Sequence, residues 1–196
     1  FVKHVLSIDA VVATWVLDLR SPIATNVVTS VTGLGSVAAG IVFVGLFYFA
    51  GWQEEFSRTL LALALTGAVV AVLMTIIHRP FPPQPVCATD GVGTPTTSFP
   101  SGHAAAVTAY AMVARNSDEL PLRSVATLAA VVAVSRIYLG THFLSDTVAG
   151  IAIGIASVMI AERVLACTDL DAVFRTLPPY ATSTRLLPLP LGRNDP

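Results

Sequence analysis

The chain has 196 residues, 54% of them hydrophobic and only 12% charged, with a formal net charge of -1. A mean hydropathy of +0.75 and a pI of about 6.4 exclude a basic nucleic-acid-binding surface, and so little charge excludes a disordered chain. Two cysteines are too few for a disulfide-built secreted fold, and an integral membrane protein is the class that remains.

In chain order, residues 1–20 form an amphipathic helix. Val5, Ile8, Val12, Trp15 and Leu19 recur at helical spacing, with Ser7, Asp9, Thr14 and Asp18 on other faces. It is too short to span and is expected to lie at the membrane surface. The chain opens on Phe rather than Met, which leaves room for an upstream segment. Ser21–Thr32 is apolar but rich in Ser, Thr and Asn, and Pro22 suits the first position of another helical piece.

Between Gly33 and Ala161 only eleven charged residues occur, and the stretches between them approach the 20 or so residues that cross a bilayer core. Five spans are predicted: Gly33–Gly51, closed by Phe47, Tyr48, Phe49 and Trp52; Thr59–Ile77; Ser101–Ala114; Ser124–Leu139; and Thr147–Ala161. The fold class is therefore an all-α membrane bundle of about five transmembrane helices, or six. The spans belong to a domain over residues 21–165, followed by a proline-rich, irregular tail over 166–196. Six prolines between Pro80 and Pro100 mark that stretch as a loop. Gly150-x-x-x-Gly154 in the last span reads as close helix packing. Cys87 and Cys167 fall on opposite sides of the membrane and are not expected to pair.

Because helices alternate in direction, four polar clusters share one membrane face: His78-Arg79-Pro80, Pro100-Ser101-Gly102-His103, Ser135-Arg136 and His142-x-x-x-Asp146. Ionisable groups at membrane depth are costly, so their gathering marks a site. Four residues separate His142 from Asp146, placing both on one helical face, where the carboxylate could take one ring proton and leave the other nitrogen as a nucleophile. Ser101 and Gly102 precede an apolar helix, so their backbone N–H groups and the helix dipole suit an anion. Arg79 and Arg136 offer forked donors for phosphate oxygens, and His103 could protonate a leaving oxygen. Taken singly, a His/Asp pair is commonly a helix-stabilising contact, Ser-Gly a cap, and each arginine an interfacial anchor; together they describe phosphoryl transfer through a phosphohistidine.

Arg79-Pro80, Pro100-Ser101-Gly102-His103 and Ser135-Arg136-x5-His142-x3-Asp146 resemble the three-part signature of the type 2 phosphatidic acid phosphatase (PAP2) superfamily, and the helical pattern extends the likeness from about Pro22 to Leu165. The resemblance implies His142 as nucleophile, Asp146 as its partner and His103 as the acid. It assigns Arg79, Arg136, Ser101 and Gly102 to the phosphate, with no metal or other cofactor. It implies a lipid phosphate or diphosphate as substrate, such as phosphatidic acid, phosphatidylglycerol phosphate or a polyprenyl diphosphate. A lipid phosphotransferase and a non-catalytic lipid-phosphate binder are the alternatives. The likeness departs at Val72, where the family has a lysine seven residues before the arginine; Lys3 is the only lysine here. One lost charge-assisted contact costs about 1.5–3 kcal/mol when nothing replaces it. Arg58, Arg115, Arg123 and Arg163 lie on the opposite face, which the positive-inside rule makes cytoplasmic, so the site is expected on the outer face, with Lys3 and Arg20 counting against this. Oligomeric state leaves no mark in the sequence.

Overall fold

A computed structural model describes residues 2–86 and 97–168. Within them all the regular structure is helical, with no strand. The elements are α1 (Val2–Leu19), α2 (Pro22–Thr32), a single 3-10 turn (Gly33–Gly35), α3 (Val37–Ala50), α4 (Gln53–Ile76), α5 (Gly102–Arg115), α6 (Leu122–Tyr138) and α7 (Leu144–Cys167). Asp90, Cys87, most of the tail and the middle of the proline-rich loop lie outside the described residues.

Local chemistry sets the helix starts. Ser21 and Ser36 cap α2 and α3 by accepting from Ala24 N and Ala39 N, and Pro22 occupies the first turn of α2 as its fixed φ predicts. Gly51, at φ 77°, closes α3 in the left-handed conformation that glycine adopts without strain.

Two helices, α4 and α7 with 24 residues each, are long and apolar enough to cross a membrane alone. A third crossing is available where α2 with the 3-10 turn and α3 form a pair bent by 55°. The uninterrupted span expected over Gly33–Gly51 is thus corrected: Gly33–Gly35 and the Ser36 cap break it, leaving 14 residues in α3. With 14 residues α5 falls short of a full span, and α6, with 17, is at the lower limit.

At the centre stands α5, packed on α4, α6 and α7. Its inner face is built from small residues, Ala104, Ala105 and Ala109 being completely buried, so neighbouring backbones come close. Gly150 and Gly154 of α7 meet it there: a Cβ at either would run into the carbonyl oxygen of Ser101 or Ala105. The predicted packing role of this glycine pair is what the fold uses, and it sets α7 directly against the turn that opens α5.

The first helix turns its bulky apolar side away from the bundle, the orientation a helix lying at a membrane surface requires. Its large apolar residues Leu6, Ile8, Val11, Trp15 and Leu19 face outward, each more than half exposed, whereas Asp9 is 2% exposed and turned into the bundle.

Candidate active site

Segments 77–80 and 97–98 zip together above the helix ends. Ser98 N donates to the Arg79 carbonyl at 2.8 Å, Arg79 N to Thr97 Oγ1 at 2.9 Å, and Thr97 Oγ1 to the Ile77 carbonyl at 2.8 Å. This pairing presents the Arg79 side chain to the start of α7. There Nη1 donates to Asp146 Oδ1 at 2.5 Å and to Ser145 Oγ at 2.6 Å, and the guanidinium lies over the Phe143 ring, 4.1 Å from its centroid. Asp146 is fully buried, and its Oδ2 accepts the Phe143 N–H at 2.9 Å, tying down the N-terminus of α7.

His142 sits in the loop between α6 and α7, 6% exposed. Its Nδ1 is 2.5 Å from the Ser98 carbonyl oxygen. A carbonyl only accepts, so Nδ1 carries the proton and Nε2 keeps its lone pair. Burial, and then the Arg136 charge, hold the imidazole down to about 3, with the Ser98 hydrogen bond opposing them. His142 is therefore neutral at physiological pH. The direct His142–Asp146 hydrogen bond expected from their spacing is corrected: the helix begins only at Leu144, so His142 is outside the helical register, and the carboxylate turns to Arg79 instead.

The cradle at the α5 N-terminus is also rearranged. Ser101 caps the helix, its Oγ accepting from Ala104 N at 3.4 Å, but its own N–H donates to the Asp146 carbonyl at 3.1 Å. This spends one of the two expected anion donors on joining α5 to α7. The Gly102 and His103 N–H groups are the first-turn donors without an acceptor among the described residues. Arg136 is 8% exposed at the end of α6, its Nη1 donating to Thr32 Oγ1 at 3.0 Å, and its charge reaches both histidines. Gly35 lies tight against the backbone of His103, where a Cβ would stand 3.0 Å from the His103 Cβ and carbonyl oxygen.

The fold thus gathers Arg79, Ser101, Gly102, His103, Arg136, His142 and Asp146 at one end of the bundle. His78 is not among them, since it stays exposed on the surface. Val72 lies on the outward side of α4, 55% exposed, rather than in the site.

Three residues of this region carry no motif signal. Ser98 is completely buried and fixes His142. Asp9 reaches in from α1: its Oδ2 accepts from Arg79 Nη2 at 2.6 Å and Ser145 Oγ at 2.6 Å, and its Oδ1 from the Ser145 N–H at 3.0 Å. Burial tends to raise the Asp9 carboxyl, but the hydrogen bonds from Arg79 and Ser145 outweigh it and hold the group below the usual carboxylate range. Arg20 donates to the Tyr138 and Gln84 carbonyls at 2.9 and 2.6 Å and lines the same narrow cleft as Asp9 and His142.

Beneath the site lies an apolar cavity of about 160 Å³. It is lined by Leu34, in the turn that backs His103, by Val107, Tyr110 and Val132, and farther down by Phe47 and Thr59.

Known proteins resemble the chain in sequence and in fold. The chain is 37% identical over 98 residues to a decaprenylphosphoryl-5-phosphoribose phosphatase of Mycobacterium tuberculosis, a match covering 50% of this chain and 54% of that protein. It is also 37% identical over 87 residues to the Mycolicibacterium smegmatis protein of that name, covering 44% of this chain and 47% of the relative. The chain therefore spans about half the length of the curated relatives it matches. In three dimensions it is similar to a transmembrane PAP2 type phosphatidylglycerolphosphate phosphatase from Bacillus subtilis, with a TM-score of 0.68 and 23% identity over 84% of this chain and 87% of the other. It is also similar to Aquifex aeolicus LpxE, with a TM-score of 0.62 and 27% identity over 77% of this chain and 92% of the other. The family model of the PAP2 superfamily matches residues 55–166, the stretch that carries every motif residue of the site, and the chain belongs to that superfamily.

Proposed function

We propose that the protein is a membrane phosphatase that removes a phosphate from a lipid-linked phosphate through a phosphohistidine at His142. The observation that carries this reading is the Nδ1 contact of a buried, neutral His142 with the Ser98 carbonyl, which leaves Nε2 as a lone-pair donor. Nε2 attacks phosphorus, the P–O bond to the leaving group breaks, and His103 gives its proton to the departing oxygen. Water then attacks the phosphohistidine, yielding its proton to His103 as the P–N bond breaks and inorganic phosphate leaves. Arg79, Arg136 and the N–H groups at the start of α5 hold the phosphoryl oxygens as charge develops.

The lipid character of the substrate is supported by the site's position at one end of apolar helices and by the cavity below His103. The mycobacterial relatives narrow the choice, since their name describes a phosphate on a sugar carried by a polyprenyl phosphate. We take a polyprenyl-linked sugar phosphate as the first substrate to test, ahead of phosphatidic acid and phosphatidylglycerol phosphate. By the positive-inside rule the site opens on the outer face, since Arg58, Arg115, Arg123 and Arg163 crowd the other end.

The test is phosphate release by purified protein in lipid–detergent micelles with EDTA present, over these three substrates, with His142→Ala as control. Release that survives EDTA and is lost in the variant is the expected result. Release that His142→Ala retains overturns the assignment.

A further inference from the structure

Asp9 brings into the site a carboxylate that no motif supplies, on a helix that packs on the rest of the bundle through α6 and α7. The outward side of α1 is apolar and exposed, and Asp9 is buried on its inward side. Its two oxygens rest on the Ser145 N–H in the first turn of α7, on the Ser145 hydroxyl and on Arg79 Nη2. A helix N-terminus beside a guanidinium is a combination that receives an anion, and here a side chain of the protein already fills it.

The arms of Arg79 are divided. Nη1 is committed to Asp146 and Ser145, while Nη2 is held by Asp9. Two carboxylates, Asp9 and Asp146, already flank the Arg79 guanidinium before any phosphate enters. An incoming phosphate must therefore approach Arg79 against the negative charge of Asp9. It must also open a cleft between α1 and the His142 loop that has no room for a water-sized molecule; Asp9, Val12, Ala13, His142 and Phe143 line it.

Resting on the phosphatase reading, we propose that Asp9 is a further residue of the phosphate site. It holds the Nη2 arm of Arg79 while the site is empty and yields that arm to the incoming phosphate, α1 lifting from the His142 loop as it does. Asp9 acts here through Arg79, as a positioning residue, and touches no reacting atom. It would also tie substrate entry to α1, whose apolar outer side is available to a lipid surface.

Asp9→Asn keeps the shape of the side chain and removes its charge. The expected result is a KM for lipid phosphate and an inhibition constant for vanadate that both fall by roughly tenfold, with KM moving more than kcat. A KM that rises or does not change overturns the proposal, because a fixed brace for Arg79 predicts weaker binding when it is removed. A second measurement needs no variant: hydrogen exchange of residues 5–17 in the wild-type chain, with and without vanadate at a concentration that abolishes turnover. Faster exchange by roughly tenfold or more is expected with vanadate bound, and unchanged or slower exchange overturns the proposal even if Asp9→Asn fails to fold. A wild-type protein that neither releases phosphate nor binds vanadate overturns the phosphatase reading and this one with it. An active wild type with unaltered α1 exchange overturns this one alone.

Discussion

The Ser98 carbonyl oxygen lies 2.5 Å from Nδ1 of His142, and this contact sets the chemistry of the site. A backbone acceptor cannot itself take up or lose a proton near neutral pH, so the ring tautomer stays fixed where a side-chain partner could titrate. The carboxylate that the sequence pairs with His142 is thereby released to orient Arg79.

That division of labour gives different signatures to two substitutions. His142→Ala removes the nucleophile and should lower kcat by at least about 1000-fold with the protein still folded, as followed by single-turnover phosphate release. Asp146→Asn leaves His142 in place but breaks a buried ion pair and weakens the α7 cap. With Asp9 still paired to Arg79, it should cost about 1–2 kcal/mol of stability, read from thermal unfolding in detergent, and should raise KM through a misplaced Arg79.

The pH dependence of stability follows from burial of His142. Its imidazole is held to about 3 in the folded chain against an ordinary 6.5. Below 6.5 the unfolded chain takes up this proton before the folded chain does, so the contribution to stability is whole above that pH and is lost as pH falls toward 3. Between pH 7 and pH 5 the wild type should lose about 2 kcal/mol more than His142→Ala, measured by denaturant midpoints at each pH.

Gly150→Ala tests the contact that joins α7 to the start of α5. The added methyl group meets the Ser101 carbonyl oxygen, which is backbone and cannot rotate away. Overpacking of this kind costs about 1–3 kcal/mol, and it should also lower activity because Ser101 begins the phosphate cradle. Unchanged unfolding temperature and unchanged turnover would show that the two helices are farther apart than described here.

Gly140 follows α6 at φ 66°, with the Arg20 guanidinium against the position a side chain would take. Gly140→Ala should therefore be destabilising by about 1–3 kcal/mol, through the backbone conformation and through displacement of Arg20. Paired with Arg20→Ala it should cost less than the sum of the two single changes, a non-additivity that a double-mutant cycle detects.

The motif residues were legible in the sequence because alternating helices must return Arg79, Ser101, Arg136 and His142 to one end, and the fold does so. Partnerships were harder to read. The spacing of His142 and Asp146 carries meaning only inside a helix, and α7 starts two residues after the histidine. The Ser101 N–H reads as an anion donor because nothing in the sequence says that Asp146 offers it a carbonyl. The apolar run from Gly33 to Gly51 reads as continuous by composition, yet the Ser36 cap and the glycines before it bend it. Asp9 is silent in the sequence for a reason particular to membranes: when lipid surrounds the bundle, the apolar stripe of a helix no longer tells which side faces the protein.

The account stands on a covalent phosphate at His142, and trapping it is the most direct test. Wild-type protein mixed with substrate labelled in the terminal phosphate and quenched within the first turnover should carry label that survives alkali and is lost in acid, mapping to the peptide that contains His142. His142→Ala should carry none. Turnover that proceeds with no label on the wild-type chain, or label that His142→Ala retains, would contradict it.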